Sequence, residues 1–154
     1  MALGIVALSI SSSSMTAIRK FDLKAWNDDL HRALTGASNR RMLENFAHAG
    51  EMAETRKDPP LLMASTLLVP GYIDEQEIRS LASFLASISP EIPYSLLAYY
   101  PQFYMADLPL VPRSLAQRCL EAVGEEGLQR VRLGNAQLLG RGIEASCPAE
   151  RGDV

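Results

Sequence analysis

The sequence predicts an α/β domain in which parallel strands alternate with helices, and three observations support this class. Residues 61–69 form an almost continuous apolar run, typical of a parallel strand buried on both faces. Residues 74–88 then carry apolar side chains at helical spacing. A similar succession of short strand and amphipathic helix occurs before and after this pair, and such connections place helices over a parallel sheet.

The first strand is predicted at residues 19–25, where apolar and charged residues alternate with a period of two. A helix is expected at residues 28–34 and ends at Gly36, after which Ser38 is expected to cap a second helix. The apolar face of that second helix is predicted to contain Met42, Leu43, Phe46, Ala47 and Ala53.

The helix after the apolar run has the clearest start. Pro70 and Gly71 end the run, and Asp74 stands three residues before Glu77. We expect this pair to satisfy two free amides at the helix start. The residues predicted to face the core are Ile78, Leu81, Ala82, Leu85 and Ile88.

Two further strands and one helix complete the predicted domain. A third strand is expected at residues 93–99, and prolines then exclude regular structure up to residue 111. Pro112 suits the first position of a helix that Gly127 closes, and residues 131–133 mark a last strand. Four strands make half of an eight-stranded barrel, so we predict a partial (β/α) barrel with outer helices.

Composition and charge exclude several classes of function. The chain is 47% hydrophobic and 21% charged, with a formal net charge of −3, which is ordinary for a globular domain. No basic run is long enough to follow a phosphate backbone, so we expect no nucleic-acid partner. The apolar stretch near the start is too short to span a bilayer and follows no basic residue, so we expect no membrane partner and no secretory signal.

The cysteines and the termini set the expected organisation. Cys119 and Cys147 fit neither a disulfide framework nor a metal-binding spacing, which favours a reducing cytoplasm. Cys119 lies on the apolar stripe of its helix and is predicted to be a core residue. We divide the chain into a ragged lead-in at residues 1–17, a barrel part at residues 18–139 and a tail at residues 140–154.

Asp22 and Lys24 are the first candidates for chemistry. They are two apart on one strand, so their side chains leave the same face about 6.6 Å apart along it. In a barrel this face would be the interior, where charged groups require a ligand or a partner. The alternative is a polar strand face open to solvent, because a lone D-x-K pattern is a weak motif.

Other polar and aromatic residues carry weaker indications. His31 and His48 have no second metal ligand at helical spacing and are expected to be structural or exposed. Arg40, Arg41, Arg56 and Lys57 are predicted to form a solvated helix face. The aromatic residues after the third strand, together with Met105, could either wall a substrate pocket or seal the barrel rim. This aromatic group consists of Tyr99, Tyr100, Phe103, Tyr104 and Met105.

Four segments occur in an order and spacing that resemble the radical S-adenosylmethionine proteins. They are FDLKAWNDDLHRALTG, STLLVPGYIDEQEI, PYSLLAYYPQFYMADLP and VRLGN, and the resemblance covers residues 18–139. More narrowly, the chain is similar to the branch related to the activating enzymes of pyruvate formate-lyase, with its D-L-K strand, V-P-G turn and proline-rich loop ending in D-L-P. The resemblance implies a four-iron cluster that passes an electron to adenosylmethionine, giving a deoxyadenosyl radical that abstracts hydrogen from a substrate.

The resemblance also assigns residues to the adenosylmethionine site. Asp22 and Lys24 match the D-L-K positions that lie near this ligand in similar proteins. Ser65 and Leu67 match strand positions that contact it. Tyr100 stands where many relatives have a histidine beside the adenosine, and Asn135 matches the G-N at the last strand. The implied cofactors are therefore S-adenosylmethionine and a 4Fe-4S cluster.

The chain departs from the family at the cluster. The sequence contains no C-x-x-x-C-x-x-C motif and no Gly-Gly-Glu turn for the amino group of the ligand, so we expect this chain alone to bind no cluster. The resemblance thus implies an enzyme that acts only with a partner: a missing amino-terminal half, a complementary chain or a second copy, together with a protein substrate. The alternatives are a non-catalytic remnant or interaction module and, last, an unrelated α/β domain, for which no Gly-rich phosphate loop is present.

Overall fold

The computed structural model describes residues 5–6, 18–53, 62–101 and 107–140. Most of the expected lead-in and tail therefore lie outside the described residues, as does part of the aromatic group. The predicted features that lie outside are Arg56, Lys57, Phe103, Tyr104, Met105 and Cys147.

The strands form one five-stranded sheet in which sequence neighbours are also spatial neighbours. Strands β2 to β5 are parallel, which confirms the α/β prediction with four parallel strands. Strand β1 was not predicted; it lies within the expected lead-in and pairs antiparallel with the outer edge of β2. The strands are β1 Ile5–Val6, β2 Arg19–Asp22, β3 Leu62–Leu68, β4 Tyr94–Ala98 and β5 Val131–Gly134.

Four helices connect the parallel strands. They are α1 Asp28–Thr35, α2 Arg40–Ala53, α3 Glu75–Ile88 and α4 Arg113–Glu125. The side chain of Asn27 accepts a hydrogen bond from the amide of Leu30 at 3.0 Å and starts α1. Gly36 ends α1 as predicted, with a φ of 78° that glycine adopts without strain. None of the described helices is long and apolar enough to cross a membrane.

Two helix starts differ by one position from the prediction. Pro112 precedes the first helical residue of α4 instead of occupying it. Helix α2 begins at Arg40, and the Ser38 hydroxyl accepts a hydrogen bond from the Arg40 amide at 3.3 Å. Asn39 therefore stands directly before α2, and its side-chain amide donates to the carbonyl oxygens of Ala25 and Trp26.

The helices pack on one face of the sheet and enclose the core. Phe21 of β2 meets Phe46 of α2 edge to face, with ring centroids 5.0 Å apart. Cys119 is fully buried in α4, as predicted, and burial raises the pKa of its thiol to about 11. Tyr94 is also buried, and its hydroxyl donates to the Thr66 hydroxyl at 2.8 Å. Burial raises the pKa of Tyr94 well above its ordinary value.

The opposite face of the sheet is not covered by any of the described helices. Successive strand residues alternate between the two faces, so Ser65 and Leu67 turn away from the helices while Ala64 and Thr66 face them. On this uncovered face Met63 and Leu67 are partly exposed, whereas Ser65 is buried. The expectation that this strand is buried on both faces therefore holds only in part within the described residues.

Candidate functional site

A row of polar residues crosses the uncovered face. Residues that pair in register on neighbouring parallel strands point to the same side of a sheet. Asp22 pairs with Ser65, Ser65 with Ser95, and Ser95 with Arg132. Four adjacent strands therefore contribute one polar side chain each to a single line, which we call the polar row.

Lys24 joins one end of the polar row. Its ammonium group forms an ion pair with the carboxylate of Asp22. The side chains are 32% and 40% exposed respectively, so the pair is half-buried. The sequence left two alternatives, a buried interior pair and a strand face open to solvent. The ion pair is intermediate between them, because it is neither deeply buried nor freely solvated. It lies where strand β2 ends, and the carboxyl ends of parallel strands are where α/β proteins bind ligands.

Arg132 and Ser95 form the other end of the polar row. The Nε of Arg132 donates to the Ser95 hydroxyl at 3.0 Å, and Ser95 is only 4% exposed. Neither residue was identified from the sequence. Alternation within PYSLLAY and VRLGN separates Ser95 from Tyr94 and Arg132 from Val131, but the pattern alone does not give the register that aligns them with Asp22.

The turn after β2 is fixed by a carboxylate from another helix. Glu77 of α3 accepts hydrogen bonds from the amides of Trp26 at 2.8 Å and Asn27 at 3.1 Å. The prediction that Glu77 caps its own helix is wrong for the described residues, where its Oε2 accepts instead from these two amides, some fifty residues away in sequence. The other half of the prediction is confirmed, since Asp74 accepts from the Glu77 amide at 2.8 Å.

Asn39 holds the carbonyl groups of the same turn. Its side-chain amide donates to the oxygen of Ala25 at 3.2 Å and to that of Trp26 at 2.5 Å. Leu23 is held by the neighbouring strand: its amide donates to the Ser65 oxygen, and its own oxygen accepts from the Thr66 hydroxyl, both at 2.8 Å. We call residues 23–27 the clamped segment. Lys24 lies within this segment and Asp22 directly precedes it.

The remaining predicted site residues are distributed along the sheet. Leu67 lies on the uncovered face of β3, two residues beyond Ser65 and paired with Leu97. Tyr100 follows β4 and is 53% exposed, and Asn135 follows β5 with a left-handed φ of 57°. The structure thus brings Asp22, Lys24, Ser65 and Leu67 together on β3 and at the end of β2, which stops at Asp22 and not at residue 25 as predicted. Tyr100 and Asn135 lie one and two strands further along.

The other candidates are either buried in the fold or exposed on helix α2. His31 is buried, and its Nδ1 lies 2.7 Å from the oxygen of Ala37. His48 is exposed on α2, and Arg40 and Arg41 are exposed as predicted. Tyr99 is buried. Within the described residues, no group of three or more His, Cys, Asp or Glu side chains could hold a metal ion.

About half of this chain is similar in sequence to known proteins. Over 81 residues the chain is 33% identical to the isethionate sulfite-lyase activating enzyme of Oleidesulfovibrio alaskensis. Over 78 residues it is 30% identical to a candidate glycyl-radical enzyme activating enzyme of Methanocaldococcus jannaschii. Over this stretch the chain is homologous to glycyl-radical enzyme activating enzymes. The two alignments take in 52% and 51% of this chain, but only 24% and 29% of those activating enzymes.

A solved structure supports the fold. A domain of pyruvate-formate lyase-activating enzyme from Bacteroides vulgatus superposes with a TM-score of 0.61 over 75% of this chain and 65% of that one, at 24% identity. At this identity the likeness concerns the fold alone. No family model matches the chain. The resemblance to this branch of activating enzymes, expected from the sequence, is confirmed for part of the chain.

Proposed function

We propose that this chain supplies the adenosylmethionine-binding part of a glycyl-radical enzyme activating enzyme. One observation carries the proposal: the half-buried Asp22–Lys24 ion pair lies at the end of β2, on the sheet face that the described helices leave uncovered. In a chain homologous to activating enzymes, an adjacent cation and anion can each pair with one of the two charges of a small zwitterionic ligand.

The proposed ligand has groups that match the residues present. The Lys24 ammonium suits a carboxylate, while the Asp22 carboxylate suits an ammonium or a ribose hydroxyl. Ser65 adds a hydroxyl beside Asp22, and Leu67 adds an apolar surface. Tyr100 presents an exposed ring on which a purine could stack. We assign to these residues the tasks of binding and orienting adenosylmethionine and of excluding water from it.

The residues of this chain do not fit the iron-sulfur cluster. Such clusters are held by cysteine thiolates, and of the two cysteines Cys119 is buried in the core with a raised thiol pKa. We therefore propose that the cluster is held by another polypeptide segment, either an amino-terminal half, a complementary chain or a second copy. A protein substrate and a cytoplasmic location complete the proposal.

A non-catalytic interaction module is the second candidate. The lack of a C-x-x-x-C-x-x-C motif in the sequence favours it, since a chain that never meets a cluster could keep the fold without the chemistry. The two candidates differ in one property that is simple to measure: only the first requires adenosylmethionine binding.

Calorimetric titration of the purified chain with adenosylmethionine tests the proposal. We expect D22N and K24Q to weaken binding about tenfold each, as loss of a charge-assisted contact does. K20Q is the matched control, because Lys20 lies on the same strand and face but one row earlier. Absence of binding by the unaltered chain would favour the non-catalytic candidate, and an equal loss in K20Q would contradict the assignment of the site to Asp22 and Lys24.

Anaerobic reconstitution with iron and sulfide tests the assignment of the cluster. We expect iron analysis to find no stoichiometric cluster in the chain alone. A stoichiometric cluster would contradict this assignment and would point to a cluster shared across two copies of the chain.

A further inference from the structure

Trp26 is an exposed aromatic residue that the proposed function does not use. It is 40% exposed, although tryptophan is highly buried on average. Its ring contacts that of Phe84 in α3, with centroids 5.7 Å apart and the two planes inclined by 45°. Because the helices cover the face of the sheet opposite the polar row, this ring lies on the helix side of the molecule.

Contacts to both the backbone and the ring fix the position of Trp26. Its amide donates to the Glu77 carboxylate at 2.8 Å, and its carbonyl oxygen accepts from the side-chain amide of Asn39. Phe84, on which the indole rests, contacts the buried ring of Phe46 with centroids 6.0 Å apart. The exposed ring is therefore held in place before a partner arrives, so that binding costs little side-chain entropy there.

The charges next to Trp26 are predominantly negative. Asp28 and Asp29 follow it in the first turn of α1, and Asp28 is paired with Arg32 at 2.9 Å. Asp29 is exposed, and it forms no ion pair with any other residue that the structure describes. The carboxylate of Glu77, bound to the Trp26 amide, adds a second negative charge. An exposed indole with these carboxylates beside it favours a cation.

We propose that Trp26 and Asp29 form a docking surface for an arginine side chain of a protein partner. A guanidinium is planar and weakly hydrated, so it can lie against the indole while its N–H groups donate to a carboxylate. The negative charge beside the ring selects such a segment over an acidic or a purely apolar one. The Asp22–Lys24 pair lies on the uncovered face, so the docking surface is separate from it and does not depend on the proposed function.

Two capped peptides that differ in one charge test the docking surface. The full chain is titrated with a tripeptide of arginine between two alanines, and with the same peptide carrying citrulline, which is neutral and of nearly the same shape. The emission of Trp26, the one tryptophan of the chain, reports binding. We expect a saturable change with the arginine peptide and binding about tenfold weaker, or none, with the citrulline peptide. Equal binding of the two peptides, or no binding of either, would overturn the proposal.

A pair of charge variants tests whether Asp29 supplies the carboxylate. D29N should weaken binding of the arginine peptide about threefold or more, while the contacts of Asp28 with Ser38 and Asn39 remain in place. E121Q removes an exposed carboxylate from α4 and is the matched control, which should bind as the unaltered chain does. Unchanged affinity in D29N, or an equal loss in E121Q, would show that the general acidity of the chain attracts the peptide and would overturn the docking surface.

Substitution of the ring itself identifies the occupant. With the amide of Asn27 followed by NMR, we expect W26A to lose binding of the arginine peptide and W26F to keep it weakly, because a phenyl ring attracts a cation less strongly than an indole. Binding by W26A as strong as that of the unaltered chain would contradict a role for the ring. If sedimentation velocity showed W26A to self-associate about tenfold more weakly than the unaltered chain, the occupant would be a second copy and the proposal would be wrong.

Discussion

At the scale of single residues, Asp28 determines how the first two helices meet. Its carboxylate accepts hydrogen bonds from the Ser38 hydroxyl at 2.7 Å and the Asn39 amide at 2.9 Å, both directly before α2. It also accepts from the Nε of Arg32 at 2.9 Å. These three donors lower the pKa of Asp28 to about 2, with the Ser38 hydroxyl contributing most. The same contacts position Asn39, which in turn holds the clamped segment.

The lowered pKa predicts an acid-dependent loss of stability. Because the carboxylate is favoured in the folded state, its contribution is fully present above the ordinary value of 3.8 and is lost as pH falls toward about 2. We expect D28N to lower the free energy of unfolding at neutral pH and the difference from the unaltered chain to shrink through this window. Urea unfolding of both proteins at a series of pH values measures this difference in the free energy of unfolding.

D29N is the control for the Asp28 prediction. Asp29 is an exposed aspartate on the same first turn of α1. Its substitution removes the same charge near the helix N-terminus but none of the contacts to Ser38 or Asn39. A D28N effect that persists unchanged down to pH 2, or that D29N reproduces, would show that the three hydrogen bonds are not its cause.

At the scale of elements, the clamped segment links one strand end to three other elements. Strand β3 binds Leu23, while Asn39 before α2 and Glu77 of α3 bind the turn that follows. Asp22 and Lys24, the two charged residues of the proposed site, therefore sit on backbone whose polar groups are satisfied by distant parts of the chain. Leu23 and Ala25 are fully buried, and a buried backbone group left without a partner costs about 1–3 kcal/mol.

Removal of the Glu77 carboxylate should loosen the clamped segment selectively. In E77A the amides of Trp26 and Asn27 lose their acceptor, so we expect their hydrogen exchange to become at least about tenfold faster. The amides of β3 should not change. The fluorescence of Trp26 gives a second measure, because it is the one tryptophan of the chain.

Two further variants make the Glu77 prediction specific. E77Q retains an oxygen acceptor and should restore part of the protection. E121A removes an exposed glutamate from α4 and should leave both amides protected. Slow exchange of Trp26 and Asn27 in E77A would mean that the carboxylate does not hold the turn in solution.

The clamped segment and the polar row show which features could be predicted from the sequence and which could not. Alternation in residues 19–25 correctly separates Asp22 and Lys24 from Phe21, because period two is a local property of the chain. Prediction of the polar row would have required the register of the strands, which depends on pairing between distant segments. Ser95 and Arg132 were therefore not identified from the sequence. Glu77 was recognised as an acceptor but matched with the wrong amides, since local spacing suggests a local partner.

At the scale of the whole molecule, the sheet has two unlike faces. The helices bury the centre of one face, where Tyr94, Leu96 and Ala98 of β4 are at most 1% exposed. The other face combines the polar row with the partly exposed apolar side chains of Met63, Leu67 and Leu97. Gly134 leaves room for Leu97, because a Cβ at Gly134 would lie 2.6 Å from its Cδ2. Strand β1 pairs with the outer edge of β2 over two residues.

The uncovered face predicts that the isolated chain associates with itself. Burying a leucine side chain contributes about 1.5–3 kcal/mol, so partly exposed Leu97 favours contact with another protein surface. We expect sedimentation velocity to show concentration-dependent self-association, and L97E to weaken it about tenfold or more. M52E is the matched control, because Met52 is an apolar side chain, 63% exposed, on α2, away from the uncovered face. A chain that stays monomeric at every concentration, or one that M52E and L97E affect equally, would mean that this face is not where association occurs.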